Sequence, residues 1–298
     1  MTALFAVVDS EGRPEGCTST EIVPWWSFTK TLIAAAALRL SEEKRLRLDA
    51  PIDGAPYTLR QLLQHRAGVG DYGALTAYNA AVARREQPWH DDQLFAHIDP
   101  AALLFPPDGG WAYSNLGYLL VRRVLERTCD ADLQEILGEK VLRPLGLLRS
   151  RLGVSIDDMQ QTPFPGGHGY HPGWAFHGVV LGPAAEAALA LHHLLCTDFL
   201  EPLSRNALLD RHPVGGVANG RPWVEAGYGL GLMNGTMQAA EGHAPLWVLG
   251  HSGSGPGSVC AVYHAPDLTE RLTAAVFADG ADAGAVEREA LRHIVRAS

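Results

Sequence analysis

The sequence predicts an α+β fold in which a sheet drawn from both ends of the chain carries an inserted, mostly helical lobe. Three observations predict it. An apolar, β-prone run opens the chain (ALFAVV, 3–8), and comparable runs return after residue 246 as WVLG, SVCAVYHA and RLTAAVFA. The stretch from Tyr57 to Leu148 instead has helical periodicity. At 298 residues and 47% hydrophobic, the chain can also bury one large core shared by two lobes. The expected division is 1–50 with 175–298 as a discontinuous sheet domain and 51–174 as the inserted lobe. The cleft between them is the expected place for a site.

Taken in order, the first run ends at Asp9-Ser10-Glu11-Gly12, a turn. A second extended run, Glu21 to Trp26, leads into Ser27. From Phe28 to Leu40 the residues predict a helix apolar nearly all round, hence buried, which the charged SEEKRLRLDAPI closes at the surface. YTLRQLLQHRAG is a short amphipathic helix stopped by glycine. Leu116–Arg127 and Leu133–Val141 are two more, the latter ending before Pro144. Residues 155–182 read as loop, Ala184–Leu195 as helix, and Ala285–Ala297 as a closing helix entered after Gly284. No repeat of solenoid period and no low-complexity tract is visible.

The composition excludes several functions. A net charge of −9 with three lysines (Lys30, Lys44, Lys140) and scattered arginines leaves no basic stripe for nucleic acid. Cys17, Cys129, Cys196 and Cys260 are too far apart in sequence for a disulfide framework or a zinc motif, and read as reduced thiols. The longest apolar run, Thr31–Leu38, is too short to span a bilayer, and the N-terminus lacks the pattern of a secretory leader. The expectation is a cytoplasmic protein with a small-molecule substrate, no nucleic-acid or membrane partner and no metal or organic cofactor. Oligomeric state is left open.

Three elements carry chemistry. In Ser27-Phe28-Thr29-Lys30, helical spacing puts hydroxyl and amine on one face, where burial lowers the amine's pKa and makes it a base. Backbone N–H groups at a helix start suit an oxyanion. The spacing alone is weak, because Ser41-Glu42-Glu43-Lys44 repeats it in a solvated segment; taken singly, Ser27 also fits a helix cap with a snorkelling lysine. Tyr113-Ser114-Asn115 supplies a phenol and an amide just before a helix. His251-Ser252-Gly253, following WVLG, offers a polar side chain and closely approachable backbone.

In this order and spacing, SxxK, YxN and HxG resemble the serine β-lactamase and penicillin-binding-protein family, nearest its class C-like branch of esterases, D-aminopeptidases and carboxypeptidases. YTLRQLLQHRAGV is similar to that family's "TLRHLLSHTSGL" segment, and FPPDGGWAYSNLGYLLVRRVLE to its "PGxxxxYSNxGYxLLGxIIE" segment. VLRPLGL and GYGLGL add to the likeness, which covers most of the chain. The resemblance implies a β-lactamase/transpeptidase-like fold with an antiparallel sheet flanked by helices. It implies that Ser27 forms an acyl-enzyme, with Lys30 and Tyr113 sharing the proton traffic and either serving as immediate base. Asn115 would bond the substrate amide or Lys30, and His251 and Gly253 would line the substrate. The N–H groups of Ser27 and Ser254 would hold the oxyanion, and Tyr113 would activate the deacylating water.

Departures narrow the reading. Ile22-Val23-Pro24-Trp25-Trp26 stands where the family usually has "FRIGS"; the tryptophans either line the pocket or pack the sheet. His251 replaces the lysine of many relatives and, mostly neutral at pH 7, is a poorer carboxylate anchor. No counterpart of the class A deacylating glutamate is visible. Ester or amide hydrolysis of a small substrate is therefore expected ahead of β-lactamase, D-Ala-D-Ala carboxypeptidase or D-aminopeptidase action. Two other classes are weighed: an inactive ligand-binding relative, and an α/β-hydrolase using Ser252 in GHSGSG, which would need a helix directly after the serine. The histidines at 168, 171, 177, 192 and 193 lack an HExxH pattern and are expected to form a loop wall, with Trp26, Trp174 and His177 as candidate pocket residues.

Overall fold

The computed structural model describes residues 3–17, 19–52, 54–216, 219–239, 242, 244–268 and 272–296. Along the chain, β1 (Ala3–Val8) and β2 (Pro14–Cys17) form a hairpin, and β3 (Val23–Pro24) runs through a single 3₁₀ turn (Trp26–Phe28) into α1 (Thr29–Glu42). The middle of the chain holds α2 (Leu59–Leu63), α3 (Thr76–Ala83), α4 (Asp91–Phe95), α5 (Asn115–Cys129) and α6 (Leu133–Leu137). Then come β4 (Arg151–Leu152), α7 (Ile156–Gln160), β5 (Val180–Gly182), α8 (Ala184–Cys196) and α9 (Pro202–Leu209). The C-terminal part contributes β6 (His212–Pro213), β7 (Trp223–Glu225), β8 (Gly227–Tyr228), β9 (Met233–Met237), β10 (Leu246–Gly255), β11 (Ser258–His264), β12 (Thr273–Asp279) and α10 (Ala283–Arg296).

The large sheet has the order β2-β1-β12-β11-β10-β9-β8-β6, with β7 also paired to β9, and every pairing is antiparallel. β1 lies on β12 with Ala3 opposite Ala278, so strands from the two ends of the chain meet inside the sheet, one strand in from its β2 edge. A second sheet, β3-β5-β4, ties the segment before Ser27 to the strands that flank α7.

Strand alternation divides the core into two layers. On β11 and β12, Cys260, Val262, Ala275 and Phe277 face the cluster containing α1 and α8. Val259, Ala261, Ala274, Val276 and Ala278 face Val286, Ala290, Leu291 and Ile294 of α10. Both faces are covered, which explains why these strands read as continuous apolar runs rather than alternating ones. Helix α1 is buried from Thr29 to Leu38, and its four alanines, 34 to 37, let it pass through the centre of the molecule.

Several sequence expectations need correction. WVLG does not end before the HSG motif: β10 continues through His251 to Gly255. Residues 155–182 are not all loop, since α7 and β5 lie there. The closing helix begins at Ala283; Gly284 sits in its first turn, where a Cβ would lie 2.2 Å from the Gly220 carbonyl oxygen, and Ala297 falls outside the described residues. β2 and β6 to β9 were not expected, because strands of two to five residues such as PEGC and MNGTM are too short and too rich in Gly, Pro and Asn to show a period. Among the described residues no helix is long and apolar enough to cross a membrane.

Glu287 of α10 is fully buried and receives both Arg221 Nε and Nη2, with Trp223 Nε1 and the Tyr263 hydroxyl each 3.1 Å from Oε1. Removing one member of such a pair leaves an uncompensated charge. Glu287→Ala should lower the unfolding free energy by about 3–5 kcal/mol, read from urea denaturation midpoints at constant m-value.

Candidate active site

A cleft of about 610 Å³ opens over Ser27, lined on one side by Tyr72, Tyr78 and Tyr170 and on the other by Trp111, Arg221 and the end of β10. Ser27 is aimed by a crowded turn. Trp25 is clamped to β5, its backbone N–H donating to Val180 O at 2.8 Å and its indole to Gly182 O at 3.1 Å. Trp26 adopts φ +41°, a region costly for a residue with a Cβ. It is held there by an indole hydrogen bond to Ser258 Oγ at 2.9 Å and by packing of its ring on Gly255. A Cβ at Gly253 would stand 2.6 Å from Ser27 N, and one at Gly255 would stand 2.4 Å from the Trp26 ring. Both glycines are therefore required for β10 to approach the Ser27 turn. Of the two tryptophans left open by sequence, Trp25 packs the core and Trp26 both packs β10 and lines the cleft.

Lys30 follows one turn later, wholly buried on α1. Its Nζ lies 3.2 Å from Ser27 Oγ, 2.8 Å from Asn115 Oδ1 and 3.0 Å from His177 Nε2. Burial pushes its pKa down to about 7 against the pull of the Asp71 carboxylate, so near neutrality about half the amines have a free electron pair. The Tyr113 hydroxyl donates to Ser27 Oγ at 2.9 Å, and burial holds the phenol well above its usual pKa, keeping it protonated. Ser41 and Lys44, the second copy of the spacing, lie at the surface, with Lys44 exposed.

Tyr113 and Asn115 are placed by the start of α5. Ser114 caps that helix, accepting from Gly117 N at 2.8 Å and donating to Gly70 O at 2.6 Å. Asp71 accepts from Asn115 N at 2.7 Å and faces its side-chain amide at 3.3 Å. That contact turns Asn115 Oδ1 toward Lys30. His65 accepts from Ser114 N at 3.1 Å, and its ring lies 4.4 Å from that of Tyr113.

His251 is buried and held neutral. A carbonyl only accepts, so Nδ1 carries the proton donated to Ser252 O, and Nε2 accepts from the Tyr228 hydroxyl at 2.9 Å. Burial and the nearby Lys30 push its pKa down to about 3. Ser254 is exposed at the cleft. Arg221 Nη2 donates to Ser252 Oγ at 2.7 Å and brings a permanent cation to the cleft edge. Trp174 is buried behind Tyr78, its ring 5.5 Å away, and does not reach the cleft surface.

Asp71, His65, Tyr228 and Arg221 were missed from sequence. His65 and Tyr228 lie inside the segments used for the resemblance, QHRAG and GYGLGL, but nothing in their spacing announces a contact with Tyr113 or His251. Asp71 and Arg221 sit in irregular stretches with no motif.

The competing arrangements do not assemble. Ser252 stands inside an antiparallel strand followed by a tight turn and another strand, without the helix that a nucleophile elbow needs. His168 bonds Thr162 O and His171 accepts from Gly173 N, each at 3.0 Å, in separate local turns. Among the described residues, no group of three His, Cys, Asp or Glu is placed to hold a metal ion.

Comparison with known proteins gives a consistent picture. The family model described as Beta-lactamase matches residues 3–297. A D-aminopeptidase of Cereibacter sphaeroides is 27% identical over 239 residues, covering 75% of this chain and 42% of its own length. Esterase EstB of Burkholderia gladioli is 29% identical over 181 residues, covering 48% of this chain and 46% of the esterase. The chain thus spans less than half the length of these relatives. Among solved structures, a D-stereospecific amidohydrolase from Streptomyces sp. superposes with a TM-score of 0.81 at 21% identity, covering 99% of this chain and 94% of that one. The D-amino acid amidase of Ochrobactrum anthropi SV3, complexed with D-phenylalanine, gives 0.77 at 17% identity over 99% and 92%. At these identities the structural matches show the fold.

Lys30 also gives the site a signature in stability. Its pKa is about 7 folded against an ordinary value of 10.5, so between the two the unfolded chain holds a proton that the folded one does not, and stability rises with pH. From pH 7.5 to 9.5 this group adds about 2–3 kcal/mol. Lys30→Met should lack that rise, which urea unfolding of both proteins across the range measures directly.

Proposed function

Because this chain belongs to the beta-lactamase family, we propose that it is a serine hydrolase that cleaves an ester or amide bond of a small substrate through an acyl-Ser27 intermediate. The observation that carries this reading is the position of Ser27 Oγ, between a buried amine with a pKa near 7 and a protonated phenol, at the floor of an open cleft. Neutral Lys30 takes the Ser27 proton as Oγ bonds to the substrate carbonyl carbon. The backbone N–H groups of Ser27 and Ser254, brought together by the approach of β10, receive the negative oxygen. Tyr113 gives its proton to the departing alcohol or amine and recovers one from the Lys30 ammonium. In the second half of the cycle, water loses its proton to the Tyr113–Lys30 pair as it attacks the ester carbonyl, and the pair returns that proton to Ser27 Oγ as the C–O bond breaks. Of the two candidates left open by sequence, Lys30 is then the immediate base for acylation, because burial lowers its pKa and raises that of Tyr113.

The relatives' names support a second substrate class, amides of D-amino acids. Among the described residues the cleft lining contains no carboxylate to pair with a free ammonium, which favours esters and amides whose acyl part carries no ammonium. The neutral state of His251 gives the carboxylate of a penicillin or a peptidoglycan stem no cation at that position, and Arg221 at the cleft edge is already paired with Glu287.

A fluorophosphonate probe should label Ser27 in the wild type, identified by peptide mass. Ser27→Ala should lose both label and turnover of p-nitrophenyl acetate while keeping its urea midpoint. Attachment at Ser252, or full activity in Ser27→Ala, would overturn the proposal. Activity of the wild type should rise through pH about 7 as Lys30 loses its proton, and Lys30→Met should cost roughly 10²–10⁴-fold in kcat/KM.

A further inference from the structure

His177 occupies an odd position for an imidazole. It lies in the segment joining the 3₁₀ turn at Pro172–Trp174 to β5, its side chain is buried, and its Nδ1 has no hydrogen-bond partner among the described residues. A buried ring nitrogen without a partner costs about 1–3 kcal/mol, which a hydrocarbon side chain of similar size would avoid. The loop is nevertheless built to hold the ring inward. Gly178 takes φ +91°, where a Cβ would stand 2.9 Å from the side chains of Leu133 and Leu152, and its N–H closes a turn onto Ala175 O at 2.6 Å. What the imidazole gains is the 3.0 Å contact between Nε2 and Lys30 Nζ.

We propose that His177 is a positioning residue for the base: its Nε2 accepts a hydrogen bond from Lys30 Nζ, which turns the amine's electron pair toward Ser27 and gives the ammonium its third acceptor after proton transfer. The proposal rests on reading Lys30 as the base for Ser27. A neutral amine has two N–H bonds and one electron pair. Asn115 Oδ1, fixed by Asp71, takes one N–H. If His177 donated from Nε2, the electron pair would be spent on the imidazole and could not reach Ser27. If it accepts, the second N–H goes to His177 and the electron pair faces Ser27 Oγ, 3.2 Å away. When the Ser27 proton moves to Nζ, the three ammonium N–H bonds then meet Ser27 Oγ, Asn115 Oδ1 and His177 Nε2, and none is left bare in the interior.

Burial, reinforced by Lys30 and His251, holds His177 well below its usual pKa, so it stays neutral and available as an acceptor. The other titratable groups facing Nζ are Asp71 across Asn115, His65 behind Tyr113, His251 on β10, and the rings of Tyr113 and Tyr118 at 5.0 and 5.4 Å. Of these, Asp71 and the faces of the Tyr113 and Tyr118 rings favour the ammonium, and His177 adds the acceptor for its remaining N–H.

The test uses the full chain and His177→Phe and His177→Leu, which fill the space without an acceptor, beside His177→Gln, which restores one. Two filling variants keep the comparison available if one fails to fold. With only three lysines in the chain, the Lys30 side chain can be followed by NMR in ¹³C-lysine-labelled protein. Its titration midpoint should fall by roughly one unit in the Phe and Leu variants and stay near the wild-type value in Gln. In parallel, kcat/KM for p-nitrophenyl acetate at pH 8 should fall about 10–100-fold without an acceptor and return to within about threefold in Gln. An unmoved Lys30 midpoint in the Phe and Leu variants overturns the proposal, and so does an equal loss of kcat/KM in all three. The titration needs no substrate, so its result stands apart from the Ser27 labelling experiment that tests the parent reading.

Discussion

Lys30 Nζ sits on a helix buried on all sides, and an ammonium there would lose several kcal/mol of hydration that its neighbours only partly return. That one desolvation organises the site. It yields an amine that can lose its proton near neutrality, and it calls for polar partners in the core, which Asn115 and His177 supply. Asn115 in turn needs Asp71 to fix its amide, and Asp71 lies in the loop leading to Tyr72 rather than on α1. Elements far apart in sequence are thus recruited to keep a single nitrogen satisfied. The four alanines of α1 belong to the same design, since a bulkier helix could not pass so deep and carry the amine with it.

The second constraint is the contact of β10 with the Ser27 turn. Gly253 and Gly255 remove side chains where Trp26 and Ser27 press against the strand, and Trp26 stays in a costly backbone region because its ring and indole nitrogen are both engaged. The strain and the glycines form one device: together they let the backbone of β10 lie against the Ser27 turn. Motif residues 224 positions apart therefore act together through backbone proximity as much as through side chains.

Much of this was legible in the sequence for a physical reason. The choice between Ser27 and Ser41 could be made because a helix apolar all round is buried, and burial is what changes a lysine's chemistry; Lys44, among charges, has no such environment. The central strands were legible because both of their faces are covered. His251 was readable as a poor cation from its residue type, and its two hydrogen bonds sharpen that to a fixed neutral tautomer. The unread parts share another property. Asp71, Tyr228, Arg221 and the Lys30 contact of His177 work through tertiary proximity between irregular segments, where neither period nor spacing carries information. The extension of β10 through HSGSG was hidden for a related reason: serine and glycine are weak strand formers, and only pairing with β11 holds them extended.

The pairing of Ala3 with Ala278 has a consequence for how the molecule comes into being. On the ribosome the first strand emerges long before its neighbour in the sheet, and the nucleophile's turn emerges long before the strand that braces it. Contacts of such large sequence separation form late, after the entropy of closing a very long loop has been overcome. At the usual pace of synthesis, about 5–20 residues per second, β1, paired early with β2, waits at least ~10 seconds for β12 on its other side. A nascent chain therefore has serine and lysine adjacent along a forming helix but no strand to brace their turn, which comes only with β10, in the last fifth of the sequence. The order of synthesis thus leaves Ser27 and Lys30 without the strand that braces their turn until most of this sequence has emerged.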